Sequence, residues 1–150
     1  MPDAPVLLLV DDDPQARGVV EGELRKRYGA DYEIICAGSA DDPLRLLARL
    51  RQDRRRVSIV LAGQSMSQLT GTELLARVRD FHSTAKRLLL LDWRYGPPPE
   101  PILQAIALDH IDGYAGRPAT VPAEEFHLTV TELLEKWARS NLPKIGRAHV

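Results

Sequence analysis

The sequence has no second cysteine to pair with Cys36, so an internal disulfide is excluded and a reducing compartment fits. A surplus of charge is missing too: 20 Lys and Arg stand against 21 Asp and Glu, a formal net charge of -1. That balance provides no field to draw in nucleic acid or an anionic membrane surface. No apolar run approaches the roughly 18 residues that a membrane span needs. Nor does a charged segment followed by a short apolar one open the chain, so a soluble, cytoplasmic protein is expected. What is present is a core: 44% of the 150 residues are hydrophobic, enough for one compact domain and too few for two ordinary ones.

Short unbroken apolar runs alternate with longer stretches of helical periodicity. Val6-Leu7-Leu8-Leu9-Val10 stops at three aspartates and reads as a central strand buried on both faces. Asp13-Pro14 is a helix start, a capping carboxylate with proline in the first turn. Ala16, Val19, Val20 and Leu24 then recur at helical spacing as far as about Tyr28 and Gly29. Gly18 and Gly22 lie one turn apart within that helix, each costing roughly 1 kcal/mol of propensity against alanine, a cost that close packing would offset. Residues 32–37 form a second strand. Ser39 is expected to cap a helix with Leu44, Leu47, Ala48 and Leu50 on its apolar side.

Residues 57–62 form the third strand, and Thr70-Gly71-Thr72-Glu73 has capping-box spacing ahead of Leu74, Leu75 and Val78. Leu88 to Leu91 is a fourth strand. Pro97-Pro98-Pro99 leads into a helix populated by Ile102, Leu103 and Ile106. Gly113 to Gly116 is a short fifth strand ending at Arg117-Pro118. Phe126, Val130, Leu133, Leu134 and Trp137 give the stripe of a last helix over about 122–139.

Five strand–helix units in succession predict an α/β fold, a doubly wound five-stranded parallel sheet with helices on both faces. In such sheets the site lies beyond the carboxyl ends of the strands. Asp11, Asp12, Gly63, the residues after Leu91, and Arg117 should therefore converge. The domain spans 1–140, with 141–150 as a C-terminal linker or tail.

The phrases LVDDDPQAR, M-x-x-L-x-G-x-E-L-L and G-Y-x-x-R-P, in that order and spacing, resemble the receiver domain of two-component response regulators over roughly residues 5–139. The segments LRKRYGADYEIICAGSA and EEFHLTVTELLEKWAR add a narrower likeness to receivers that precede a thioredoxin-reductase-like flavoprotein module. The resemblance implies a flavodoxin-like sheet of strand order 2-1-3-4-5. It also implies phosphoryl transfer from a histidine kinase to an aspartate ending the third strand, an acidic pair holding Mg2+, a hydroxyl after the fourth strand, and a lysine before proline after the fifth.

Carried over by position, Asp11 and Asp12 match the acidic pair, while the acceptor position falls on Gly63, which has nothing to phosphorylate. The hydroxyl position falls on Leu91 or Asp92, and neither supplies one. Arg117 stands for the lysine, followed by Pro118, keeping the charge but replacing an ammonium with a larger planar fork. Ser67 stands where proline is usual. These departures imply a degenerate pseudo-receiver, a fold kept for its surfaces. Mg2+ at Asp11 and Asp12 is weakened, no cofactor is expected, and no enzymatic activity. Partners are then a protein or fused output module, a histidine kinase, or a second copy through the face of the fourth helix, fifth strand and fifth helix.

Three readings of Asp11 and Asp12 stay open: an ion pair with Arg117, a retained metal, or solvated carboxylates. Trp93 and Tyr95 read either as a lid packed over the emptied pocket or as a small-ligand site, the ligand-sensor alternative. A conventional phosphorelay receiver would need an unusual acceptor such as Asp12, Asp13 or Asp92. Asp11-x-Asp13 also resembles the nucleophile motif of haloacid-dehalogenase-type phosphatases, but Pro14-Gln15 follows where that family has a threonine. Arg54-Arg55-Arg56 reads as a solvated turn, His82, His110 and His127 as surface or capping residues, and Cys36 as a small core hydrophobe.

Overall fold

The computed structural model describes residues 4–38, 41–64, 66, 69–92, 98–118 and 121–142. Its elements alternate as β1 (Val6–Val10), α1 (Pro14–Tyr28), β2 (Glu33–Ala37), α2 (Pro43–Gln52), β3 (Val57–Gly63), α3 (Gly71–Val78), β4 (Lys86–Leu91), α4 (Glu100–Ala107), β5 (Gly113–Gly116) and α5 (Ala123–Asn141). All strand pairs are parallel, and their order is β2-β1-β3-β4-β5, as expected.

The unbroken apolar runs follow from this layering. In β1 the side chains of Val6, Leu8 and Val10 pack with Leu47, Leu74 and Leu75 on one face of the sheet. Leu7 and Leu9 pack with Val20, Leu24, Phe126 and Val130 on the other. Each face has its own core because side chains alternate across a strand while helices cover both sides. One irregularity interrupts the ladder: the β1–β3 register shifts between Val6 and Leu7, leaving Ser58 as the extra residue. Its buried hydroxyl donates to the Val6 carbonyl at 2.8 Å, which satisfies the polar group that the bulge strands in the core.

Helix starts follow cap chemistry. Asp13 accepts from the amides of Gln15 and Ala16 before Pro14, and Thr70 and Glu73 close the expected capping box. The cap of α2 is a correction: Asp42, followed by Pro43, accepts from the amides of Leu44 and Arg45. Ser39 lies outside the described residues. Asp42-Pro43 repeats the Asp13-Pro14 signature and outcompetes the serine because proline pre-sets φ at the first turn.

Helix faces bring further corrections. Val19, Leu103 and Ile106 do not join the core; they are 46%, 43% and 42% exposed. Helix α4 buries only Ile102 and Ala105, so its other apolar side chains face solvent. Gly18 and Gly22 are not compensated by packing, since a Cβ at either would meet nothing within 4 Å. Gly18→Ala and Gly22→Ala are therefore each expected to stabilise the protein by about 0.5–1 kcal/mol. Urea denaturation reads this as a raised midpoint with an unchanged slope.

His127 is a third correction, being buried rather than on the surface. Its Nε2 lies 3.0 Å from Glu23 Oε1, its Nδ1 lies 3.0 Å from the Tyr28 hydroxyl, and that hydroxyl is 2.8 Å from Thr131 Oγ1. The chain of contacts stitches α1 to α5. Arg55 is likewise not free in a solvated turn: it pairs with Glu33 and donates to the Ala4 carbonyl. Cys36 is half-buried, and its thiol is pushed up to about 11 by desolvation and by Glu21, so it is unreactive at neutral pH.

Where the strands begin, opposite the carboxyl ends, Arg87 is the one long charged side chain among the largest fully buried ones. Its Nε donates to Asp112 Oδ2 at 3.0 Å, its Nη1 to the Asp109 carbonyl at 2.8 Å and its Nη2 to Asp109 Oδ1 at 3.1 Å. Arg79 completes the network with Asp109 at 3.0 Å and Asp112 at 3.3 Å. At the edge of the sheet, the Glu33 amide donates to the Pro5 carbonyl and the Ala37 carbonyl accepts from Asp11, both toward β1. The alternate residue, Ile34, turns its carbonyl outward, and Arg25 Nη2 donates to it at 3.4 Å. Among the described residues no helix is long and apolar enough to cross a membrane.

Candidate functional site

The strand ends bring Asp11, Gly63, Asp92 and Arg117 together, as their positions predicted. Each arrives by backbone constraint. Asp11 follows β1 directly and donates its amide to Ala37 at 3.0 Å; Gly63 is the last residue of β3, paired with Leu90; the Arg117 amide donates to the Leu91 carbonyl at 3.0 Å. Leu91 itself belongs to the core, 7% exposed, and offers only that carbonyl. Asp12 and Pro118 lie beside the cleft, half-buried. Trp93 and Tyr95 fall outside the described residues.

Of the three readings of the acidic pair, the ion pair is the one formed at Asp11. Arg117 Nη1 pairs with Asp11 Oδ2, and both side chains are buried, 8% and 1% exposed. Arg117 Nε reaches Asp92 Oδ1 at 3.0 Å, a carboxylate that is otherwise exposed. The other oxygen of Asp11 accepts from the Asp13 amide at 3.1 Å. Asp13 is thereby held with its own carboxylate turned to the start of α1, where it caps, so Asp11-x-Asp13 is not arranged as a nucleophile and its partner acid.

Gly63 carries the meaning of the cleft. A Cβ built there would stand 2.5 Å from Arg117 Nη2 and 3.3 Å from Asp11 Oδ2. Such a distance is below any ordinary contact, so a side chain at residue 63 and the guanidinium in its present place exclude each other. The far side of Gly63 is closed as well, because a Cβ on Gly71 would strike the Gly63 carbonyl oxygen and lie 2.7 Å from Leu89 Cδ1. Close backbone approach of α3 to β3 therefore requires glycine at 71. Gln64 secures that approach, its carbonyl accepting from the Gly71 amide and its side-chain oxygen from the Thr72 amide, both at 3.0 Å.

One residue of the site was not foreseen. Arg17 Nη1 donates to the Asp11 carbonyl at 2.7 Å, so a second guanidinium stands against the same residue. Its only signal in sequence was its place one turn into α1, where an arginine more often faces solvent.

Mg2+ takes near-octahedral oxygen ligation, several waters and one or two free carboxylates. Here both Asp11 oxygens are engaged, a cation already stands against them, and among the described residues no group of three or more His, Cys, Asp or Glu side chains could hold a metal. The residues do not fit the ion. Removing one partner of such a buried pair leaves an uncompensated charge at a cost of about 3–5 kcal/mol, so the pair fixes the geometry of the cleft more firmly than it adds net stability.

No protein-family model and no curated protein matches the chain. Solved structures do match in fold. A CheY-like response regulator receiver domain from Methanospirillum hungatei JF-1 aligns at TM-score 0.72 and 17% identity, covering 92% of this chain and 99% of that one. The signal receiver domain of an HD domain-containing protein from Pseudomonas fluorescens Pf-5 aligns at TM-score 0.66 and 26% identity, covering 91% and 98%. The response regulator TrrA from Thermotoga maritima, in complex with Mg2+ and BeF, aligns at TM-score 0.64 and 21% identity, covering 86% and 98%. The chain thus has the flavodoxin-like fold of CheY-like receivers.

Proposed function

We propose that this chain is a pseudo-receiver of two-component signalling, a receiver fold that acts through protein–protein contact and takes no phosphoryl group. The observation that supports this most directly is the mutual exclusion at the centre of the cleft: Gly63 offers no acceptor, and Arg117 occupies the space that an acceptor side chain would need. Receiver phosphorylation needs a nucleophilic carboxylate in line with a metal and a cation. The first is missing from the end of β3, and the metal does not fit.

A contact role also agrees with α4, where Leu103 and Ile106 lie exposed on a helix of eight residues. We assign the face of α4, β5 and α5 to a partner: a second copy, a separate output protein, or, following the narrower sequence likeness, a fused flavoprotein module. The setting is the bacterial cytoplasm.

Incubation with acetyl phosphate or phosphoramidate and Mg2+, followed by intact-protein mass spectrometry, is expected to leave the mass unchanged. A stoichiometric gain of one phosphoryl group would overturn the reading and point to Asp12, Asp13 or Asp92 as acceptor.

A further inference from the structure

We propose that Arg117 is a built-in cation, a guanidinium that takes the place of a divalent metal ion in the Asp11 cleft and closes that cleft to Mg2+ and Mn2+. The inference concerns the same cleft as the proposed function and deepens it, from the absence of an acceptor to the identity of what replaced the ion.

Three features carry it. First, the guanidinium is built in rather than draped over the surface: Arg117 and Asp11 are 7% and 1% exposed, and Arg117 Nη2 fills the space above Gly63. Second, its two arms reach two strand ends at once. Nη1 holds Asp11 after β1 and Nε lies 3.0 Å from Asp92 Oδ1 after β4 as a charge contact without the alignment of a hydrogen bond, while the Arg117 amide is fixed to Leu91. A planar fork with donors on different edges can bridge two carboxylates in this way, as a metal ion would through its coordination shell, whereas an ammonium on a flexible stem acts as a point charge. Third, a further positive group, Arg17, stands at the Asp11 carbonyl. A divalent ion approaching the Asp11 carboxylate would meet the Arg117 guanidinium in a partly desolvated cleft, where like charges repel strongly. Asp11 is thus neutralised from within, and the ends of β1, β4 and β5 are tied together with no bound ligand.

The inference makes a latent property visible. Arg117→Met removes the cation and leaves the Asp11 carboxylate without its buried counter-charge, with Asp92 the other carboxylate that Arg117 had reached. Titration with MnCl2, followed by water-proton relaxation and by thermal unfolding, is expected to show no saturable binding and no shift for the wild-type protein. Arg117→Met should show saturable Mn2+ binding with a rise in melting temperature, and Asp11→Asn added to it should abolish both.

Saturable binding to the wild-type protein as tight as to Arg117→Met would overturn the proposal, as would a folded Arg117→Met protein that ignores Mn2+. Should that variant be unfolded in metal-free buffer, recovery of its circular dichroism on adding Mn2+ counts as binding, and failure to recover counts against the proposal. The two readings fail separately. Mn2+ binding by the wild-type protein without phosphoryl uptake sinks the built-in cation alone. Uptake from acetyl phosphate without metal binding sinks the pseudo-receiver alone.

Discussion

Gly63→Asp made alone is expected to remain unphosphorylated by acetyl phosphate and Mg2+, whereas Gly63→Asp combined with Arg117→Lys is expected to gain the mass of one phosphoryl group. Restoring the acceptor is not sufficient, because the new side chain enters a space where Arg117 Nη2 lies 2.5 Å from its Cβ. The guanidinium must shift, yet it is buried and paired with Asp11, with the Asp92 carboxylate 3.0 Å from its Nε. It would then pair with the incoming carboxylate and hold it as an ion-pair partner rather than a nucleophile. Lysine reaches one carboxylate at a time, so it frees an Asp11 oxygen for the metal while keeping the positive charge. Phosphorylation of the single variant, or a folded double variant that stays inert, would contradict this account of why the chemistry is absent.

Arg87→Met is expected to cost about 3–5 kcal/mol, a fall in melting temperature on the order of 10 °C. The replacement fills much the same volume, but it takes the buried guanidinium from Asp112, which keeps the amide of residue 87 and Arg79, and it takes two contacts from Asp109. The same network sets an acid limit. Burial pushes the Asp112 carboxyl up, but the hydrogen bonds and charge of Arg87, with Arg79, outweigh it and hold the group below its ordinary 3.8.

A carboxyl lowered in the folded state stabilises the protein above its unfolded value and loses that contribution as pH falls through the lower native one. The stability of the wild-type protein should therefore fall below about pH 4 more steeply than that of Asp112→Asn, as measured by denaturation midpoints between pH 5 and 3. Parallel slopes would mean that Asp112 is not held by this pair.

Much of the architecture was legible because β1 and β3 are buried on both faces, which writes an unbroken apolar run into the chain, and because Asp13-Pro14 and Thr70 to Glu73 carry their caps locally. Where local rules failed, the competitor was local too. Asp42-Pro43 is as clear a helix start as Asp13-Pro14, and it lies three residues beyond Ser39, directly before the first turn of α2.

The exposure of Leu103 and Ile106 has another cause. Periodicity shows that a helix has an apolar side without showing how wide a stripe the sheet will cover, and α4 covers only Ile102 and Ala105. His127 sits next to Phe126 on the inward side of α5, but its partners Glu23 and Tyr28 lie about a hundred residues earlier. Within the cleft, the loss at Gly63 was readable from position alone. That Arg117 fills the resulting space, and that Arg17 supports Asp11 from behind, needed three-dimensional closure, since no spacing rule relates residues 11 and 117.

The outward carbonyl of Ile34 has a consequence for how this molecule behaves in a crowded solution. An unguarded outer strand is a template on which a neighbouring chain can lay down a strand of its own, the first step toward intermolecular aggregation. Arg25 occupies that acceptor with a charged, bulky donor, which leaves that carbonyl less open to a strand from a neighbouring copy.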